Sequence, residues 1–112
     1  MRRTYLGEFE ELVLLMIAIL DENAYGVTVS QEIEQQTGRL VAFGSVHNTL
    51  IRLEEKGFVT SGLGGATAER GGRRKRLFKV TALGKTALAD IQELRNKLWK
   101  LMPDDTLKLS GI

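Results

Sequence analysis

GSVHNTLIRLEEKGFVTSGL, residues 44–63, changes its period in the middle. Val46, Leu50 and Leu53 stand at i, i+4 and i+7, the spacing of one helix face, while Ser45, His47, Asn48, Thr49, Arg52 and Lys56 populate the other faces. Gly57 is placed to stop that helix, and FVTSGL beyond it reads as a strand. The Gly-rich stretch GGATAERGG (64–72) then turns the chain, and RRKRLFKVT (73–81) reads as a strand coming back, so the two form a hairpin. A nine-residue connection is longer than most hairpin loops, and such loops are usually functional or disordered.

Upstream, a helix over residues 25–37 puts Val29 and Ile33 inward and Gln31, Glu32, Glu34 and Gln35 outward, with Gly38 positioned to end it in the left-handed conformation. Before it, Phe9, Leu12, Val13, Met16, Ile19 and Leu20 recur at helical spacing, and Leu14, Leu15 and Ile17 fill the other side. A helix apolar almost all round is buried on most faces, which in a small domain predicts that part of it meets a second subunit. DENAYG (21–26) breaks it. Two short helices followed closely by a third with small polar residues near its start outline a helix-turn-helix.

Downstream, Thr81 is placed to cap a final helix that ends at Pro103. Leu83, Ala87, Ile91, Leu94, Leu98 and Leu101 step by four, four, three, four and three, the rhythm of a coiled-coil seam. Leu88, Trp99 and Met102 make a sparser second stripe. One stripe can pack on the parent domain; two exceed what a monomer needs, which predicts a homodimer joined through this helix and the first one. The alternative is that both stripes fold back on one core. The expected fold is mainly α (α+β): a winged helix-turn-helix over residues 1–81 with a two-stranded β wing, a dimerisation helix over 82–103 and a flexible tail over 104–112.

A chain of 112 residues suffices for one compact domain, and 43% hydrophobic residues can build its core. It has no cysteine and a single histidine, so disulfides, thiolate metal sites and His-rich clusters are excluded, and no cofactor is expected. The apolar run Leu12 to Leu20 is nine residues, against the roughly 18 to 20 that cross a bilayer. Glu8, Glu10 and Glu11 interrupt any signal-like pattern after Arg2 and Arg3, so the expectation is a cytosolic protein without a membrane role.

The net charge of +2 conceals an asymmetry. Residues 1–60 carry five Lys/Arg against nine Asp/Glu, whereas residues 61–80 carry six against one. Such a concentrated positive patch attracts polyanions to one face of a molecule. Strand geometry sends alternate side chains of RRKRLFKV to opposite faces, so Leu77 or Phe78, with Val80, can tie the strand to the core while cations project. Gly71 and Gly72 let the loop turn sharply near a phosphodiester chain. Arg70, Arg73, Arg74, Lys75 and Arg76 are the candidate DNA contacts of the wing, and an arginine fork suits phosphate oxygens or a guanine edge. A basic loop with no ligand is the plainer reading of the same residues.

The third helix is expected to supply base contacts through Ser45, His47, Asn48, Thr49 and Arg52, on or beside its outward face. Asn48 can pair with adenine, and Arg52 with guanine or phosphate, or Arg52 simply bridges helices. Catalysis finds little footing: His47 has no nucleophile partner in view, and GLGGATAERGG lacks the lysine and hydroxyl of a phosphate-binding loop.

The blocks LGEFEELVLLMIAIL, AYGVTVSQEIEQQTG, GSVHNTLIRLEEKGFV and ERGGRRKRLFKVTALGKTAL, in this order and spacing, resemble the PadR family of transcriptional regulators over residues 6 to 90. The resemblance implies a dimeric regulator of double-stranded DNA, generally a repressor, whose C-terminal helix dimerises, and the short tail resembles the subgroup with one such helix. The expected operator is pseudo-palindromic, with half-sites about one helical turn, roughly 10 bp, or a multiple apart. His47 stands where the family usually has tyrosine, which changes reach and response to pH. Leu77 and Phe78 stand where members often carry tyrosines. Trp99 reads as a core or interface residue; by resemblance to members whose aromatic groups line a cavity at the dimer interface, it is also a candidate contact for a small planar aromatic ligand. Two other classes remain open: an architectural nucleic-acid-binding protein without operator preference, and a winged helix that binds only protein.

Overall fold

The computed structural model describes residues 5–64 and 75–107. Its elements run α1 (Glu8–Leu20), a single 3₁₀ turn (Asp21–Asn23), α2 (Gly26–Thr37), α3 (Phe43–Glu55), β1 (Val59–Leu63), β2 (Arg76–Val80) and α4 (Ala82–Leu101). This is the expected order, and it makes a winged helix-turn-helix followed by a long helix. Among the described residues no single helix is long and apolar enough to cross a membrane.

Each boundary has a local cause. The Gly7 N–H donates to the Glu10 carboxylate at 2.8 Å, and Glu8, Glu10 and Glu11 set negative charge against the positive end of the α1 dipole. The Tyr25 N–H donates to Thr28 Oγ1 at 2.9 Å, while the Thr28 hydroxyl donates to the Asn23 carbonyl, so the start of α2 is tied to the turn before it. Gly38, at φ 76°, ends α2. Gly57, at φ 83°, ends α3: its N–H donates to the Glu54 carbonyl and the Phe58 N–H to the Leu53 carbonyl, each at 3.0 Å. That reciprocal pair closes a helix with one left-handed residue, the conformation glycine adopts without strain.

β1 and β2 pair antiparallel from Val59 opposite Val80 to Leu63 opposite Arg76. The free edge of β2 is closed in part by the corner before α2, where the Phe78 N–H donates to the Ala24 carbonyl at 2.8 Å. Phe78 is the side chain that anchors β2 in the core; Leu77, on the opposite face, is only half-buried.

The core gathers Val13 and Leu14 of α1, Ile33 of α2, Leu50 and Leu53 of α3, and Phe58 just before the hairpin. Ala87 brings α4 onto it. Thr81 fastens the start of α4, since its Oγ1 accepts from the Gly84 N–H at 3.0 Å and donates to the Gly57 carbonyl at 2.7 Å. Beyond its first turn, where Leu83 is exposed, the apolar positions of α4 are divided along its length. Ala87, Leu88 and Ile91 pack on the domain, whereas Leu94, Leu98, Trp99 and Leu101 are exposed, because the helix runs past the edge of its own core. Leu15 and Ile19 of α1 are exposed as well, so α1 is not covered on every side within one chain.

Candidate nucleic-acid interface

α3 presents a graded surface. Its inner row is Val46, Leu50 and Leu53, all sealed in the core. Ser45, His47 and Asn48 are exposed near its start, where the side chains are uncharged, and Glu54 and Glu55 are exposed at its end. Arg52 and Lys56 stand beside those carboxylates, so the charges gather in the C-terminal half, and the N-terminal half presents hydrogen-bonding side chains able to meet base edges.

Thr49 departs from the expected placement. It is 3% exposed and its hydroxyl donates to the Ser45 carbonyl at 2.8 Å. Residues three and four apart share a helix face; Thr49 is three from Val46 and four from Leu53, so it belongs to the inner rows and has no access to a base edge.

Arg52 and Lys56 both face Glu10 of α1. The Lys56 ammonium is 2.7 Å from Oε1 of Glu10 and also donates to the Tyr5 carbonyl at 2.9 Å. An Arg52 nitrogen lies 3.9 Å from Oε2, the outer limit of an ion pair, and half of that side chain stays exposed. Burial by itself raises the Glu10 carboxyl; the hydrogen bonds from Lys56 and the Gly7 N–H, with the charges of Lys56 and Arg52, outweigh it and hold the group below its ordinary value. Of the two roles open to Arg52, the geometry displays the helix bridge, in a form loose enough to leave the guanidinium accessible.

The wing is bound to α3 through a short chain of polar contacts. Arg76 donates to Ser61 Oγ at 2.9 Å, and the Ser61 hydroxyl donates to the Glu54 carboxylate at 2.8 Å. Lys75 rests its ammonium 4.7 Å from the centre of the Tyr25 ring, a cation–π contact with the start of α2. Both cations are exposed and held in place. Arg70, Arg73 and Arg74 lie outside the described residues, as do Arg2 and Arg3.

Two residues of this surface escaped the sequence reading. Phe43 begins α3, one residue before the stretch read as that helix; its ring stacks on His47 and closes over Gly26. Arg39, between α2 and α3, lies 3.6 Å from the Glu8 carboxylate and 5.5 Å from the centre of the Phe9 ring. Only the i, i+4, i+8 alignment of Phe43, His47 and Ile51 could have signalled the first, and nothing local signals the second.

The arrangement amounts to an exposed start of α3 and a cationic hairpin that is tied to the far end of the same helix through Glu54 and to the start of α2 through Tyr25. No curated protein matches the sequence. Among solved structures, the chain is similar to a PadR-like transcriptional regulator from Bacillus cereus, with a TM-score of 0.67 and 18% identity over 82% of this chain and 84% of that one. A PadR family transcription regulator from Clostridium difficile superposes with a TM-score of 0.65 and 24% identity, covering 81% of this chain and 93% of the other. A transcriptional regulator from Thermoplasma acidophilum gives 0.63 and 22%, over 80% and 86%. These likenesses establish the fold. The sequence profile described as the transcriptional regulator PadR-like family matches residues 14–90. With that match spanning most of the winged helix and the start of α4, the chain belongs to the PadR-like family of transcriptional regulators.

Proposed function

We propose that the chain is a sequence-specific repressor that binds a pseudo-palindromic operator as a homodimer, with the start of each α3 in a major groove and each wing along the neighbouring backbone. The observation that carries this reading is the Glu54–Ser61–Arg76 chain of hydrogen bonds, because it holds Arg76, at the base of the wing, at a set position relative to α3. Ser45, His47 and Asn48 then supply the base contacts, and Arg52 and Lys75 reach phosphates together with Arg70, Arg73, Arg74 and Arg76 of the wing. The exposed Leu94, Leu98 and Leu101, with Leu15 and Ile19 of α1, support dimerisation, since a continuous apolar strip on a protruding helix is stable when covered by a second copy.

Release of the operator by a planar aromatic ligand belongs to the same proposal. Trp99, 59% exposed on the protruding half of α4, is the ring such a ligand would stack on at the dimer seam. Operator affinity and tryptophan fluorescence that stay constant across a broad set of planar compounds would remove this step.

The test of the main reading is selection of bound duplexes from a random pool, with dimer mass measured in solution. A recurring two-fold motif supports it. An architectural protein would bind every duplex alike, and a protein-interaction module would bind none even at low salt. Changing Arg73 and Arg74 to alanine should reduce the salt slope of binding by about two, one for each phosphate left without its cation.

A further inference from the structure

Phe43, His47 and Ile51 form a ridge on the exposed side of α3. Each stands four residues from the next, so they rise one above another with roughly 40° of rotation per step. Phe43 is 52% exposed and Ile51 42% exposed, two large apolar side chains in water on the helix that bears the candidate base-reading residues. The ridge is ordered by its neighbours. The Phe43 and His47 rings stack with centroids 6.3 Å apart and planes 16° from parallel. Below them a Cβ on Gly26 would stand 2.8 Å from the Phe43 ring, so the missing side chain at the start of α2 is what seats that ring.

Single exposed apolar residues are ordinary on protein surfaces. An aligned pair flanking the row of Asn48, with Phe43 in the first turn of α3 and Ile51 two turns on beside Arg52, is a different matter. A hydrophobic surface meets only one hydrophobic group in the major groove, the 5-methyl of thymine, and that group is absent from the other three bases. We propose that the ridge reads thymine methyl groups, with Phe43 against one methyl and Ile51 against another, while Asn48 in the adjacent row pairs with adenine. This rests on the base-reading role of α3 proposed above and specifies it: the half-site is rich in A·T pairs, and part of its recognition is hydrophobic and independent of salt. His47 is the spacer of the ridge, stacked on Phe43 and keeping the two apolar contacts one base step or more apart.

Deoxyuridine differs from thymidine by that methyl alone and pairs identically, so it isolates the contact. The duplex selected from the random pool is resynthesised with each thymine of the half-site replaced in turn by deoxyuridine, and affinity is measured for the full-length dimer. Wild-type protein should lose about fourfold per half-site at one or two positions, the worth of one buried carbon. Phe43→Ala and Ile51→Ala should each bind thymine and deoxyuridine duplexes equally at one of those positions. Phe43→Leu and Ile51→Val, which preserve apolar surface and the fold, should retain a reduced discrimination. If wild-type protein binds every deoxyuridine duplex as tightly as the parent and still prefers the parent over a scrambled sequence, base reading stands and methyl reading is overturned. If it has no preference over the scrambled sequence, both readings fall.

Discussion

Lys56, at the end of α3, donates a 2.7 Å hydrogen bond to the carboxylate of Glu10, in the first turn of α1. Glu10 is 6% exposed and also accepts from the Gly7 N–H, so one carboxylate caps the first helix and clamps α3 to it.

Removing that charge should weaken the fold in a pH-dependent way. Glu10→Gln should cost about 1–3 kcal/mol near neutral pH, the range for a buried hydrogen bond to a charged partner. The native carboxyl titrates below its ordinary 4.5, so the folded state binds a proton less readily than the unfolded state. The stabilisation is therefore complete above that ordinary value and is lost as pH falls through the lower native one. Urea unfolding of both proteins across the acid range should show the gap narrowing as pH drops; a gap independent of pH would contradict the assignment.

Two glycines should respond oppositely to alanine. A Cβ on Gly84 would collide with the Phe58 carbonyl oxygen and stand 2.8 Å from Val80, and backbone cannot yield cheaply. Gly84→Ala should destabilise by about 1–3 kcal/mol, although helix propensity alone favours alanine by roughly 1. Gly26→Ala meets only the outer atoms of the Phe43 ring, which can swing away, so stability should stay within about 1 kcal/mol. Thermal unfolding measures both, and the reverse order would show the packing of α4 on the domain to be misassigned.

Asn48→Ala and Thr49→Val are neighbours with different expected outcomes. Asn48 is exposed, and its loss should relax preference at one base position by about 1–3 kcal/mol of discrimination. Thr49 spends its hydroxyl on the Ser45 carbonyl inside the domain, so its loss should leave base preference untouched and change stability by about 1 kcal/mol. Binding to a panel of single-base operator variants separates the two.

The signals that were local could be read from the sequence. Gly38, Gly57 and Thr81 close or open helices through their own backbone or hydroxyl, and each acts where its residue type indicated. The inward face of α3 followed from the spacing of Val46, Leu50 and Leu53, yet the same spacing applied one step further would have turned Thr49 inward. What was not legible is tertiary. The clamp between Glu10 and Lys56 spans 46 residues, and no pattern in either helix announces it. The division of α4 into a packed and a protruding half depends on where the domain ends in space, and periodicity is blind to that. Phe43 was hidden because the residues before it carry no helix-start signal: its cap, Ala42, accepts no side-chain bond.

The protruding half of α4 should decide the assembly. Leu94→Glu with Leu98→Glu places two carboxylates on the exposed strip, where no partner among the described residues needs them apolar. The variant should fold normally, sediment as a monomer and bind a two-half-site duplex about a hundredfold more weakly, because each head must then bind alone. Affinity for a single half-site should be unchanged.

The central claim is that α3 and the wing, held together through Ser61, select a sequence and do more than attract phosphate. Equilibrium competition between the selected duplex and its scrambled counterpart, at about 0.15 M salt, tests it most directly. The predicted preference is about a thousandfold or more. Equal affinity for the two duplexes would contradict it.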